Sequence, residues 1–324
     1  MKIVIAGGTG FIGRPLCETL LREGHQVTVL ARFHHEARYI LPPTATIIGW
    51  DGLTRGPWER AMEGADAVIN LAGEPVADAR WTADRKQALR VSRINSTRLL
   101  VQAIWNLPHR PATLINASAI GYYGPRDAVP VNEQTLPGHG FLADLCVDWE
   151  REAMKAEAFG LRVVRLRTGM VLGDDGGALP RMVPPFRFFL GGPIMPGDQW
   201  VSWIHRQDLI RMVHWALADS AVRGPLNGVA PDAVTMRDFC ETLGRVINRP
   251  SWFPVPEFAL RFALGELASL LTTGQRVEPA AALRGGFVFR HTRLEHALEE
   301  ILGDPSKARQ ISNGPIASSH GFGQ

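Results

Sequence analysis

Cysteine is scarce in this chain, and its few cysteines lack the spacing of a metal site or a disulfide framework. The 324 residues include three, Cys17, Cys146 and Cys240. They are far apart, odd in number and contain no CxxC pair, which argues against a structural zinc and against a disulfide-stapled fold. We therefore expect reduced thiols, a cytoplasmic location and no bound metal.

Long apolar runs and clusters of one charge are also missing. The most apolar late stretch, residues 255–271, carries Glu257, Arg261 and Glu266 and is too short to span a bilayer. Residues 1–6 lead too soon into glycines to form a signal peptide. The net charge is +3, and the arginines are scattered instead of clustered on one element. We expect a small-molecule substrate as the partner, and neither nucleic acid nor a membrane.

What the chain does have is a regular alternation of short apolar runs and helical periods. Strands are predicted near residues 2–7, 27–31, 46–51, 65–73, 111–118 and 161–173, with helices between them. Continuous apolar strands separated by helices predict a parallel sheet covered on both faces. The expected fold class is α/β, with a doubly wound Rossmann domain over residues 1–173. A smaller mixed C-terminal lobe, with strands interleaved in the same sheet, is expected over residues 174–302, and a disordered tail over 303–324.

The strongest local motif lies between the first predicted strand and the first predicted helix. Residues 7–13 are GGTGFIG and satisfy the pattern G-x-G-x-x-G through Gly8, Gly10 and Gly13. A glycine at position 10 lets the backbone approach a pyrophosphate, and one at position 13 lets the helix pack close to the strand. In this strand–loop–helix context the motif predicts a dinucleotide site, although a structural tight turn is the alternative.

The end of the second predicted strand bears on which dinucleotide binds. NAD enzymes usually place an acid there, about 20 residues after the loop. Here residues 27–31 are followed by Arg32, and the first acid along the chain is Glu36. A guanidinium pairs with a 2′-phosphate, whereas a carboxylate would repel it. The sequence predicts NADP(H) as the cofactor, with an exposed arginine of no special role as the alternative.

Further segments give the chain a family resemblance. They are NLAGE at residues 70–74, SAIGYYG at 118–124, WIH at 203–205 and LNGVAP at 226–231. Together with the glycine loop they resemble the extended short-chain dehydrogenase/reductase superfamily. More narrowly, they are similar to its atypical "epimerase family" branch, which is NAD-dependent epimerase/dehydratase-like. That branch carries a small C-terminal domain of unknown function, matching residues 235–302 here.

The resemblance implies a cofactor site assembled from several segments. Arg32 matches the adenosine-phosphate position, Asp51 matches the adenine-facing acid, and residues 71–74 match the loop under the ribose. The implied contacts are Gly7, Thr9, Gly10, Phe11, Ile12, Gly13, Arg32, Asp51, Leu71, Ala72, Gly73, Glu74, Arg93 and Met170, with Asn95 and Val171 beside them. It also implies a substrate pocket lined from the Pro- and Gly-rich segment that contains Arg187, Gln199, Trp200 and Trp203.

The catalytic pattern of that superfamily, a Ser or Thr with a Tyr-x-x-x-Lys pair, is not matched. Counting from Glu150 puts Leu142 at the tyrosine position and Cys146 at the lysine position. Leucine has no titratable proton, and a cysteine cannot act as the fixed cation that lowers a tyrosine pKa. Counting back from the Tyr-Gly pair puts Ala119 at the hydroxyl position, with Ser118 one residue early.

Two tyrosines remain as candidate proton donors. Tyr122 and Tyr123 follow the fifth predicted strand, at the end where ligands bind in this architecture, and Ser118 is the candidate hydroxyl partner. The alternative is that each tyrosine is a packed aromatic. The sequence therefore leaves two functions open. One is an NADP(H)-dependent oxidoreductase or epimerase-like enzyme on a small carbonyl or alcohol. The other is an NADP(H)-binding regulator or redox sensor without turnover.

Overall fold

The computed structural model of the chain describes residues 1–303 and builds them around one parallel sheet. The predicted tail, residues 303–324, lies outside the described residues apart from Gly303. The described strands are β1 (Lys2–Ala6), β2 (Gln26–Ala31), β3 (Thr46–Gly49), β4 (Ala67–Asn70), β5 (Thr113–Ala119), β6 (Arg162–Thr168), β7 (Met170–Leu172), β8 (Trp200–Val201), β9 (Trp203–His205), β10 (Gly224–Gly228) and β11 (Val234–Thr235).

The central sheet has the strand order β10-β6-β5-β4-β1-β2-β3, and all of its neighbouring strands run parallel. The order reverses between β1 and β4, which opens a crevice at the carboxyl ends of these strands. The predicted fold class, a doubly wound α/β sheet with a smaller C-terminal lobe, is confirmed.

Helices cover both faces of this sheet. The described helices are α1 (Gly13–Arg22), α2 (His34–Ile40), α3 (Ala83–Arg90), α4 (Ser96–Trp105), α5 (Phe141–Met154), α6 (Leu179–Arg187), α7 (Arg206–Ala218), α8 (Met236–Val246), α9 (Glu257–Leu264), α10 (Ser269–Thr272), α11 (Ala280–Arg284) and α12 (Leu294–Leu302). Residues 83–105 form one continuous helical stretch in which a π-helical segment, Val91–Asn95, joins α3 to α4. Such wider turns often mark functional positions.

The core follows from the alternation of side chains along the buried strands. Along β1, Ile3 and Ile5 enter the core shared with α1 and α7, while Val4 enters the core on the opposite face with α4. Because both faces are covered, the strand has no polar side and its register is fixed. The chain therefore leaves β1 at a defined point, directly into the glycine loop.

The C-terminal lobe shares the central sheet instead of standing apart from it. Strand β10 pairs with β6 at the sheet edge, although it follows residue 173 by some fifty positions. The remaining short strands form two-stranded pairs, β7 with β9 and β8 with β11. Trp203, Phe239 and Leu298 form part of a third core beneath α8 and α12. Within residues 1–303, no helix combines the length and apolarity needed to cross a membrane.

Candidate cofactor and active site

The glycine loop after β1 is packed tightly on one side and open on the other. Gly7 has φ of +80°, and a Cβ there would lie 2.7 Å from the carbonyl carbon of Leu71. A Cβ at Gly13 would lie 2.2 Å from the carbonyl oxygen of Gly7, so the loop closes only with glycine at both positions. At Gly10 the nearest atom to a Cβ would be 3.4 Å away, which leaves exposed space over the loop. Gly8 serves packing, since its Cβ would meet the Val29 side chain at 2.8 Å.

The ring of Phe11, on the glycine loop, packs against the segment that follows β7. Cβ atoms at Gly173 or Gly176 would lie 2.8 Å or less from its ring. The guanidinium of Arg206 lies 4.8 Å from the ring centroid. In the same segment Asp175 accepts a hydrogen bond from Arg14 at 2.7 Å. Phe11 thus holds the chain after β7 close to the loop, while Thr9 and Ile12 are half-buried at its base.

The loop after β4 is shaped by Asn70, which is fully buried and was not predicted as a site residue. Its amide donates to Thr97 Oγ1 at 2.9 Å and Asn116 Oδ1 at 2.7 Å, and its oxygen accepts from the backbone N–H of Ala72 at 3.2 Å. Leu71 donates its N–H to the carbonyl of Ala6 at 2.9 Å. Leu71 and Ala72 are therefore held across the end of β1, beside Gly7.

Arg93, on the π-helical segment, braces the same loop. Its Nη2 donates to the carbonyl of Glu74 at 2.8 Å, and its guanidinium carbon would lie 3.1 Å from a Cβ at Gly73. Burial lowers the pKa of Arg93. Ser92 accepts a hydrogen bond from the Glu74 N–H at 3.1 Å, and Asn95 ends the segment. The wider π turn thus presents two neighbouring residues to one loop.

Arg32 lies directly after β2, and an acid does lie beside it in space. Its Nη1 donates to Glu74 Oε1 at 2.6 Å, and the other carboxylate oxygen lies 3.5 Å from Arg85 Nη1. The hydrogen bond from Arg32 is the main cause of the lowered pKa of Glu74. The prediction that no acid lies near Arg32 is therefore wrong in three dimensions, because the loop after β4 supplies Glu74.

Asp51 and Met170 are two further residues that the resemblance placed at the cofactor. Asp51 is exposed, and its carboxylate accepts hydrogen bonds from the backbone amides of Leu53 at 2.8 Å and Thr54 at 2.9 Å. The bonds from these amides lower its pKa. Met170 is half-buried and begins β7, beside Val171, so it belongs to a two-stranded pair and not to the central sheet.

At the end of β5, helix α5 presents the two residues that the sequence count assigned. A Cβ at Gly121 would lie 3.2 Å from the Cβ of Leu142 and 3.9 Å from the sulfur of Cys146. Both residues therefore face the turn that follows β5. Burial raises the pKa of Cys146 to about 12, so this thiol stays protonated near neutral pH.

Ser118 and Tyr123 belong to a buried hydrogen-bond network centred on an ion pair. Ser118 donates to Glu150 at 2.7 Å, and Arg167 donates to both oxygens of the same carboxylate at 2.8 and 2.9 Å. The Tyr123 hydroxyl accepts from Arg167 at 3.1 Å and donates to Asn227 at 2.7 Å. Tyr123 is fully buried, which raises its pKa to about 12. As placed, neither hydroxyl faces an open site, which argues against both as proton donors.

Tyr122 differs from the other two candidates because it is only half-buried. The guanidinium of Arg167 lies 3.4 Å from its ring centroid, in cation–π contact with the face of the ring. The ring of Tyr123 meets it edge-on at 5.4 Å. Among Ser118, Tyr122 and Tyr123, it is the residue whose side chain the structure leaves partly open.

A cavity of about 740 Å³ lies where the loop after β5 meets the C-terminal lobe. Its wall includes Arg126, Gln199, Trp200 and Thr272. The hydroxyl of Thr272 is buried without a hydrogen-bond partner among the described residues. Two of the four residues predicted to line a pocket are thus in the wall. Trp203 is instead fully buried, and its indole N–H donates to the carbonyl of Asp232 at 2.8 Å.

One cluster in the C-terminal lobe has the composition of a metal site, namely the buried His205 and His291 with the exposed Glu300. Three of its four ring nitrogens already contact protein groups. Nδ1 of His205 accepts from the N–H of Gln207 at 3.2 Å, and the two ring nitrogens of His291 contact Asp208 at 3.1 Å and Glu300 at 2.7 Å.

An open parallel sheet whose switch point lies beneath a glycine loop is the architecture of a dinucleotide-binding Rossmann protein. Comparison with known proteins agrees with this class. The model of the "NAD dependent epimerase/dehydratase family" matches residues 3–227, and that of a "Domain of unknown function (DUF1731)" matches residues 255–301. The chain therefore belongs to the NAD dependent epimerase/dehydratase family, whose members bind a nicotinamide cofactor. The resemblance inferred from the sequence is confirmed.

Relatives match the chain over nearly its whole described length. "Epimerase family protein YfhF" of Bacillus subtilis is 40% identical over 94% of this chain and 99% of its own. The crystal structure of the human epimerase family protein SDR39U1 with NADPH is 34% identical, with a TM-score of 0.82, over 93% of this chain and 99% of that one. A nucleoside-diphosphate sugar epimerase from Corynebacterium glutamicum is 30% identical, with a TM-score of 0.75, over 96% of this chain and 61% of that one.

Proposed function

We propose that this chain is an NADP(H)-dependent oxidoreductase or epimerase-like enzyme that acts on a small carbonyl or alcohol. The observation that carries the proposal is the open face of the glycine loop at Gly10, with Arg32 at the adenosine end of the same crevice. The human relative whose structure contains NADPH supports the choice of cofactor. When bound, the nicotinamide supplies or accepts a hydride.

The protein's own residues would have three tasks in this function. The loop at Gly10 would hold the pyrophosphate at the N-terminus of α1, where the helix dipole favours an anion. Arg32 would pair with the 2′-phosphate. Tyr122, at the carboxyl end of β5, is the candidate proton donor, and the cavity beside Trp200 is the candidate substrate pocket.

Cofactor choice is tested by replacing Arg32. A charge-assisted hydrogen bond contributes about 1.5–3 kcal/mol, so Arg32→Ala should reduce the preference for NADPH over NADH by roughly 10- to 150-fold. Calorimetric titration with both cofactors measures this. Arg110→Ala is the matched control, because Arg110 bonds the carbonyl of Trp105 near the opposite end of β5. Equal affinities of the unaltered protein for NADPH and NADH would contradict the assignment.

Turnover is tested with a panel of carbonyl compounds, following NADPH oxidation. A general acid contributes typically 10²–10⁴-fold, so Tyr122→Phe should reduce kcat by about that factor with NADPH affinity retained. Tyr123→Phe and Ser118→Ala are comparison variants at buried positions of the same strand end. Activity that is unchanged in Tyr122→Phe would reject Tyr122 as the donor.

A second candidate function is an NADP(H)-binding regulator or redox sensor without turnover. It is favoured by the side chains at the end of β5, where Leu142 and Cys146 face the turn and the hydroxyl of Tyr123 is buried. On this account NADPH binds tightly, no substrate on the panel is reduced, and NADPH and NADP⁺ protect different amides from hydrogen exchange. Detectable oxidation of NADPH that depends on a carbonyl substrate would exclude it.

A further inference from the structure

The charge of Arg32 is already compensated where it lies. Its side chain donates to the carboxylate of Glu74 at 2.6 Å, and this bond is the largest cause of the lowered pKa of that carboxyl group. A neutral arginine–carboxylate pair attracts a 2′-phosphate less than a free guanidinium does, because the carboxylate repels what the guanidinium attracts. The full preference for NADP(H) over NAD(H) therefore requires a second cation beside Arg32.

The structure supplies that cation from α3. Arg85 Nη1 lies 3.5 Å from Glu74 Oε2, on the carboxylate oxygen that Arg32 does not use. The three side chains of Arg32, Glu74 and Arg85 therefore form a cluster with one carboxylate and two guanidiniums, and a formal charge of +1. Without Arg85 the same cluster would be neutral.

Arg85 is held in place by the loop that it contacts. Its Nη2 donates to the carbonyl of Pro75, and its backbone N–H donates to the capping hydroxyl of Thr82 at 3.2 Å. Its side chain is 19% exposed, whereas that of Arg32 is 57% exposed. Its Nε is buried without a hydrogen-bond partner among the described residues. Such an unsatisfied donor costs stability, so stability alone does not explain the position of this side chain. A fixed, partly buried cation is screened less by solvent than an exposed one.

We propose that Arg85 determines the selectivity for NADP(H), by making the cluster with Arg32 and Glu74 net positive toward the 2′-phosphate. This rests on the proposed cofactor site. A phosphate monoester carries about −1.5 to −2 charges near neutral pH, so a change of one unit in the facing cluster alters its binding more than that of the 2′-hydroxyl of NADH. Arg85 acts here as a specificity-determining residue, partly through the carboxylate that it shares.

The test compares Arg85→Gln and Arg85→Lys, with Lys86→Gln as the control that removes one positive charge from the neighbouring position of the same helix. Titrations with NADPH and NADH, and with adenosine 2′,5′-bisphosphate and 5′-AMP, give selectivity with and without the nicotinamide. We expect Arg85→Gln to reduce both NADPH/NADH and bisphosphate/AMP selectivity roughly tenfold, with NADH affinity retained. Arg85→Lys, which keeps the charge, should recover most of the loss, and Lys86→Gln should change neither ratio.

Retained NADH affinity shows that the variant is folded at this edge. If Arg85→Gln weakens NADPH and NADH equally, the residue is merely structural and the proposal is overturned, as it also is if neither selectivity changes. If the unaltered protein itself fails to prefer NADPH, the cofactor assignment and this proposal are overturned together. The two failures are distinguishable, because only the second is visible before any residue is replaced.

Discussion

At the carboxyl edge of the sheet, the half formed by β1, β2 and β4 differs from the half formed by β5, β6 and β10. In the first half, Gly10 leaves open space and Arg32 is 57% exposed. In the second half, Ser118, Tyr123 and Arg167 are all at most 4% exposed and bonded to protein groups. The first half leaves the face of Gly10 and the side chain of Arg32 open, where a ligand can meet them, whereas the second uses Ser118, Tyr123 and Arg167 to hold strands and helix together.

The buried network in the second half explains why those polar groups are not free. The carboxylate of Glu150 accepts hydrogen bonds from Ser118 and from two nitrogens of Arg167, and Tyr123 links that arginine to Asn227 on β10. Buried charges are stable only when paired and fully hydrogen-bonded. Each of these groups is therefore committed to the packing of α5, β5, β6 and β10.

The largest effect on cofactor binding is expected from a substitution that fills the open space above the glycine loop. Gly10→Val should abolish measurable NADPH binding, because a branched side chain occupies the space above the loop that a pyrophosphate needs. The melting temperature should be nearly unchanged, since a Cβ at Gly10 meets nothing nearer than 3.4 Å. Calorimetry and thermal unfolding measure the two quantities.

Gly56→Val is the matched control for that change. A Cβ at Gly56 also meets its nearest atom, on Trp58, at 3.4 Å, but on the loop after β3. NADPH affinity should be retained in this control. A folded Gly10→Val protein with unchanged NADPH affinity would show that the loop is not the phosphate site.

Breaking the buried network should mainly lower stability. Glu150→Gln leaves the buried guanidinium of Arg167 without its carboxylate, and removing one partner of a buried pair costs about 3–5 kcal/mol in the free energy of unfolding. Chemical denaturation measures this, and the same substitution in an exposed pair, Glu257→Gln beside Arg261, should change stability little. A Glu150→Gln protein as stable as the parent would contradict the structural role of the second half.

A smaller, pH-dependent effect is expected in the C-terminal lobe, where a buried histidine is again committed to packing. His291 contacts Asp208 and Glu300, and the bond with Asp208 is the largest cause of its raised pKa. The stability it adds is fully present below its unfolded pKa of about 6.5 and is lost as the pH rises through its higher folded pKa. His291→Gln should therefore lower the melting temperature more at pH 6 than at pH 9.

The ring of His205 stacks on that of His291, with the ring centroids 3.9 Å apart. Its effect on stability has the opposite pH dependence, so His205 is left unchanged in both the parent protein and the His291→Gln variant. Burial lowers the pKa of His205 to about 4, so its own contribution is lost as the pH falls below about 6.5. His109→Gln serves as the control, because the side chain of His109 is 80% exposed. An equal loss of melting temperature at pH 6 and pH 9 in His291→Gln would exclude a charged His291.

Local pattern predicted the fold and the glycine loop well, because each depends on residues close together in the chain. The count that put Leu142 and Cys146 at the tyrosine and lysine positions stays a prediction, and the structure shows that both side chains face the turn after β5. Pairings across the sheet were missed. Glu74 is 42 residues from Arg32, and only the placement of β1 between β2 and β4 brings them together.

Some of the missed contacts did leave a signal in the sequence. Asn70 ends an otherwise apolar strand, and Arg167 is itself buried near the end of β6, beside the buried Leu166. A polar or charged side chain in a buried strand requires a partner, so both positions predict a hydrogen-bond network. The partners, Asn116 for one and Glu150 for the other, depend on strand order and on the rotation of α5, which the local pattern does not determine.

The central claim is that the open half of the sheet edge is an NADP(H) site. The measurement that tests it most directly is calorimetric titration of the unaltered protein with NADPH and with NADH under the same conditions. We predict one site per chain and an NADPH affinity roughly 10- to 150-fold above that for NADH. Equal affinities, or no binding of either cofactor, would contradict it.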